Sequence, residues 1–131
     1  MIVKIDHVGI AVNDIEEAVR LYTDALGLEV EGIETVEEQK ARIAMIPIGE
    51  SRIELLESTD PEGAIAKFIE RRGEGMHHLA LRTSNIKGML ESLKERGIPL
   101  IDEEPRTGAE GAKIAFLHPK GTKILLELVE H

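Results

Sequence analysis

The chain has 131 residues, a formal net charge of −9 and no cysteine, which fits one domain and excludes disulfides, thiolate metal sites and a Cys nucleophile. Its acidic balance argues against nucleic-acid binding, which needs a basic footprint, and an anionic ligand would need a local cluster of cations. No apolar run approaches the roughly 20 residues of a membrane span, and the start Met1-Ile2-Val3-Lys4-Ile5-Asp6 lacks the pattern of a signal peptide, so a soluble cytoplasmic protein is expected.

In chain order, Ile5 to Val12 alternates as a strand, with Val8, Ile10 and Val12 on one face and His7, Gly9 and Ala11 on the other. Asp14 is a helix cap, Glu17 is placed for a capping box, and Ile15, Ala18, Val19 and Tyr22 form one apolar face. Gly27 stops this helix. Extended segments are expected near 28–35, 40–48 and 52–58. Asp60-Pro61-Glu62 then opens a connector helix carrying Ile65, Phe68 and Ile69, which Gly73 and Gly75 close. A second strand follows around His78. Asn85 caps a helix with the stripe Ile86, Met89, Leu90 and Leu93, and Gly97 and Pro99 end it. The last strands are expected near 98–102, 112–117 and 123–130.

The halves repeat each other. Ile5-Asp6-His7-Val8-Gly9-Ile10-Ala11-Val12 resembles Met76-His77-His78-Leu79-Ala80-Leu81-Arg82-Thr83, which matches His7 with His78. Asp14-Ile15 matches Asn85-Ile86, Gly27 matches Gly97, and Glu54-Leu55-Leu56-Glu57 matches Glu127-Leu128-Val129-Glu130. The fold class expected is α+β: two tandem βαβββ modules forming an eight-stranded curved sheet around a cleft, helices outside. Module one spans about 1–58, the connector about 59–75 and module two about 76–131.

Glu54 and Glu127 each sit between apolar residues of a strand, where a carboxylate is costly unless paired or metal-bound. The repeat offers two His and two Glu at equivalent positions. His7, Glu54, His78 and Glu127 are therefore the candidate ligands of a divalent ion such as Zn, Co, Ni or Mn. A lone strand His or Glu is more often satisfied core or surface; the doubling of the pair is what points to a site. His77 points away from His78 along the strand, His118 reads as a structural residue at a strand end, and the terminal His131 is expected to be disordered.

With these residues in place the chain resembles the vicinal oxygen chelate superfamily, and within it the methylmalonyl-CoA epimerases over nearly its whole length. The most specific segments are Gly73-Glu74-Gly75-Met76-His77-His78 and Phe116-Leu117-His118-Pro119-Lys120, with Glu37-Glu38-Gln39 and Glu104-Pro105-Arg106-Thr107-Gly108-Ala109 in support. The resemblance places His7, His78 and Glu127 on epimerase ligand positions, and Glu54 on a fourth where epimerases carry Gln and glyoxalases Glu. It implies an isomerase that interconverts (2R)- and (2S)-methylmalonyl-CoA by α-proton abstraction through a metal-stabilised enolate. Such a reaction needs acid/base groups on two faces; Glu127 and Glu54 are the catalytic candidates. The chain departs from the family at Ile43, where some members carry a Glu proposed as a base, at the shorter turn Lys120-Gly121-Thr122-Lys123, and at Gly63, where Ser is common. Arg106, Lys113, Lys120 and Lys123 are candidates for the CoA phosphates, each against the alternative of a solvated surface charge. A homodimer is expected from the same resemblance. The competing readings are a glyoxalase I-like lactoylglutathione lyase and a ligand-sequestering protein of the bleomycin-resistance type.

Overall fold

The computed structural model describes residues 1–131. The first half runs β1 (Ile2–Ala11), α1 (Ile15–Arg20), β2 (Gly32–Val36), β3 (Ala41–Ile48) and β4 (Ser51–Ser58). The connector helix α2 covers Ala64–Arg72, and the second half runs β5 (Gly75–Thr83), α3 (Ile86–Glu95), β6 (Arg106–Thr107), β7 (Lys113–Leu117), a short α4 (Pro119–Thr122) and β8 (Leu126–Glu130). Both halves are thus βαβββ, and the eight strands hydrogen-bond in the order β2-β3-β4-β1-β5-β8-β7-β6. The chain divides into two compact units, one of Met1–Asp6 with His78–His131 and one of His7–His77.

In the 7–77 unit, β1 pairs parallel with β4 and β4 pairs antiparallel with β3. One sheet face packs under α1 through Val12, Ile15, Ala44, Ile46 and Leu55, with Ile10, Ala18, Val19 and Tyr22 around them. Asp14 accepts the Glu17 N–H at 3.1 Å; the reciprocal half of the expected capping box does not form. Instead Glu57, from β4, accepts the Ile15 N–H at 2.9 Å. After Arg20 the helix widens into a π turn over Leu21–Ala25 before Gly27 reverses the chain at φ +71°. The strand expected from residue 28 begins only at Gly32, because Leu28 N–H bonds back to the Tyr22 carbonyl and Glu31 N–H to Met45. The Leu28 and Val30 side chains pack on the α1 core.

The other unit repeats the plan. β5 pairs parallel with β8 and β8 antiparallel with β7. Asn85 accepts the Gly88 N–H at 3.0 Å, and Glu130 of β8 accepts the Ile86 N–H at 2.8 Å. Ile86 and Leu90 of α3 pack with Ala115, Leu117 and Leu128, joined by Met89 and Leu93. The expected strand at 98–102 is a single bridge, Leu100 to Leu117. Pro99 has no N–H to give a ladder, the Ile101 and Asp102 amides both turn to the Phe116 carbonyl, and the Asp102 carboxylate accepts the Phe116 N–H at 2.9 Å. The second strand of this module is the two-residue β6 instead. Met1–Asp6 join the unit through the Ser84 N–H to Met1 carbonyl bond and an ion pair at 2.8 Å between the buried Asp6 and the half-buried Arg82.

Candidate functional site

The register of each unit sets one His beside one Glu. On the face of β1 turned from α1, His7, Gly9 and Ala11 follow one another. Gly9 stands across from Glu54, and Glu54 across from Met45 of β3. In the other unit Ala80 stands across from Glu127, and Glu127 across from Phe116 of β7. The residue beside each carboxylate is thus small, a glycine in one unit and an alanine in the other, which leaves the imidazole two positions earlier room to lean toward it.

His7 Nε2 lies 3.5 Å from Glu54 Oε1, and His78 Nε2 lies 3.1 Å from Glu127 Oε1. All four residues are buried, at 3, 4, 5 and 4 % exposure for His7, Glu54, His78 and Glu127. The surroundings are apolar. Ala41, Ile43, Met45 and Leu56 are buried in one unit, and Ala80, Ala112, Ile114, Phe116 and Val129 cluster in the other. A carboxylate taken out of water costs several kcal/mol unless something compensates its charge, and the same cost is met twice here. Imidazole nitrogen with carboxylate oxygen is a donor set for Zn, Co, Ni or Mn, so these residues fit a divalent ion by chemistry as well as by burial.

The remaining candidates separate clearly. His77 turns away from the pair and meets the Phe68 ring edge-on at 4.9 Å. His118 caps α4, its Nδ1 accepting the Lys120 N–H at 3.0 Å. His131, expected to be disordered, is placed with Nε2 3.4 Å from Asp6. Ile43 is 1 % exposed and lies between Glu34 of β2 and Leu56 of β4, so no acid/base group stands at that position. Lys120 and Lys123 sit at α4, where Lys123 Nζ donates to the Lys120 carbonyl. Lys113 heads β7 as an exposed residue.

The sequence reading missed Phe116, whose ring meets His78 edge-on at 5.8 Å. Its signal was present: alternation along Lys113–Leu117 puts Phe116 on the Glu127 face once β7 and β8 are paired.

The family model of the Glyoxalase/Bleomycin resistance protein/Dioxygenase superfamily matches residues 6–116. The uncharacterised protein YqjC of Bacillus subtilis is 40 % identical over 128 residues, covering 97 % of this chain and 91 % of its own length. The ethylmalonyl-CoA/methylmalonyl-CoA epimerase of Cereibacter sphaeroides is 34 % identical over 122 residues, covering 92 % of this chain and 91 % of its own. A methylmalonyl-CoA epimerase variant of Streptomyces coelicolor, solved with 2-nitronate-propionyl-CoA, superposes with a TM-score of 0.95 at 37 % identity, covering 99 % of this chain and 95 % of that one. The chain belongs to this superfamily, and within it to the family of the methylmalonyl-CoA epimerases, which are enzymes.

Proposed function

We propose that this chain interconverts (2R)- and (2S)-methylmalonyl-CoA by moving the α-proton, and that the two His–Glu pairs together hold one divalent ion. The observation that carries the reading is the duplicated buried pair, His7 with Glu54 and His78 with Glu127, in a chain of the epimerase family. Bound by these four residues, the ion would supply Lewis-acid stabilisation of charge developing on the thioester oxygen, on the order of several kcal/mol. No helix is long and apolar enough to cross a membrane; a cytoplasmic single-domain homodimer completes the proposal, the location and single domain resting on the sequence pattern and the dimer on resemblance.

The chain's own residues handle the proton. A carboxylate near the α-carbon takes it, the C–H electron pair moves into the thioester carbonyl, and a second group returns a proton to the opposite face. Glu127 is assigned one of these roles and Glu54 the other, by the equivalence of their positions. The apolar neighbours Ile43, Met45 and Leu56 of Glu54, and Ile114, Phe116 and Val129 of Glu127, keep water from competing for the proton.

The test is α-proton exchange of (2R)-methylmalonyl-CoA in deuterium oxide, followed by NMR with metal-reconstituted protein. Metal-stripped protein and His78→Ala serve as controls. Exchange with loss of stereochemistry, absent from both controls, is expected. Tight metal binding without exchange would sink the substrate assignment, and turnover of the glutathione hemithioacetal of methylglyoxal would then favour the lyase. A protein that binds no metal would point to ligand sequestration.

A further inference from the structure

One cation beside the His78–Glu127 pair takes no part in the proton chemistry. Arg106 opens β6 and pairs in register with Ile114 of β7, two residues before Phe116. Alternation therefore puts Arg106, Ile114, Phe116 and Glu127 on one face of this unit. The guanidinium carbon lies 5.5 Å from the Phe116 ring centroid, and the same ring meets His78 edge-on at 5.8 Å. Phe116 is thus a shared wall, with the imidazole on one side and the guanidinium on another.

Asp102 fixes this arrangement. Its Oδ1 lies 3.4 Å from Arg106 Nε, while its Oδ2 accepts the Phe116 N–H at 2.9 Å. One carboxylate thereby ties the arginine to the strand that carries the ring. The contact uses Nε, and the terminal nitrogens donate to no protein acceptor. Other arginines of the chain are committed at those nitrogens: Arg42 to Glu16 and Glu57, Arg82 to Asp6. An exposed i,i+4 ion pair alone would be worth little and would give no reason for the ring contact. A guanidinium set over an aromatic ring, its terminal nitrogens open, is suited to gripping carboxylate or phosphate oxygens two at a time. With a net charge of −9, the protein offers an anion little long-range attraction, so a local anchor of this kind has work to do.

We infer that Arg106 binds an anionic group of the acyl-CoA substrate, its carboxylate or a phosphate of the nucleotide. This rests on the acyl-CoA reading above and adds a residue that sets affinity, separate from the proton-transfer groups. The experiment compares metal-loaded wild type, Arg106→Ala and Arg106→Lys on methylmalonyl-CoA and on methylmalonyl-pantetheine, which lacks the nucleotide phosphates. Calorimetric binding of malonyl-CoA is measured alongside. Expected is a KM about tenfold higher in Arg106→Ala with kcat within about threefold, partial recovery in Arg106→Lys, and a matching rise in Kd for malonyl-CoA. If the penalty persists on the pantetheine ester, the group is the carboxylate; if it vanishes there, the group is a phosphate. Unchanged KM and Kd in Arg106→Ala, with wild type active, would overturn the inference alone. An inactive wild type would overturn the epimerase reading, and the malonyl-CoA titration would still decide whether Arg106 holds an anion.

Discussion

Glu57 and Glu130 perform the same task in the two halves of the chain. Glu57 Oε2 accepts the N–H of Ile15, the first residue of α1, and Glu130 Oε1 accepts the N–H of Ile86, the first residue of α3. Each last strand reaches across its own module to satisfy a helix terminus that would otherwise carry unpaired donors. The carboxylate also meets the positive end of the helix dipole.

Removing either acid therefore loosens its helix. Glu130→Ala is expected to cost about 1–2 kcal/mol, as for loss of a charged cap, while Glu130→Gln keeps an acceptor and costs less. Urea unfolding monitored by circular dichroism checks both; equal losses would mean that the hydrogen bond is not what matters.

Glu57 has a second partner, Arg42, at 2.9 Å, and Arg42 also pairs with Glu16. The Arg42 hydrogen bond holds the Glu16 carboxyl below its ordinary pKa, and the Glu16 bond raises that of Arg42. A depressed carboxyl contributes stability above its unfolded-state pKa and loses it as pH falls through its lowered folded value. The difference in melting temperature between wild type and Arg42→Ala is expected to shrink on acidification below the usual carboxylate range and with added salt. A gap constant from neutral to strongly acid pH would contradict this assignment.

With the proposed ligand set, ion binding at the His–Glu pairs would stabilise the folded state by mass action, by about 2.7 kcal/mol at a hundredfold excess over Kd. Chelator-treated protein is expected to melt lower and to recover with added Co or Mn. His7→Ala and His78→Ala should each abolish the recovery. Glu127→Gln should lower α-proton exchange by about 10²-fold or more. Full exchange in Glu127→Gln would remove Glu127 from the proton path.

Gly108 is constrained by crowding. A Cβ there would lie 2.8 Å from Ile114 Cγ2 and 3.0 Å from its Cδ1, and Ile114 is buried in the apolar cluster beside Phe116. Gly108→Ala is expected to cost about 1–3 kcal/mol by overpacking. Adding Ile114→Ala should cost less than the two single losses combined, which chemical denaturation of the four proteins would reveal.

Much of this was legible in the sequence because the chain states its plan twice. His7 and His78, Glu54 and Glu127, and Asp14 and Asn85 occupy matching places, so a residue that would be uninformative alone gains meaning from its counterpart. Elements fixed by local chemistry were readable: the Asp14 and Asn85 caps, the turn at Gly27, and the connector helix closed by Gly73. Elements fixed by distant partners were not. The strand expected at 98–102 is lost because Asp102 takes the Phe116 amide, a bond across 14 residues. Glu57 and Glu130 read as ordinary strand-end charges until the helices they cap are in place. Phe116 needed the β7–β8 register before its closeness to His78 had a reason.

The opening residues of the chain have an unusual dependence on its end. Met1 accepts from Ser84, and Asp6 is paired with Arg82 and approached by His131. Residues 1–6 therefore belong to the same compact unit as residues 78–131, on the far side of the sequence from the strands that follow them. A change at Asp6 would therefore be felt around Arg82 and His131, more than seventy residues along the sequence.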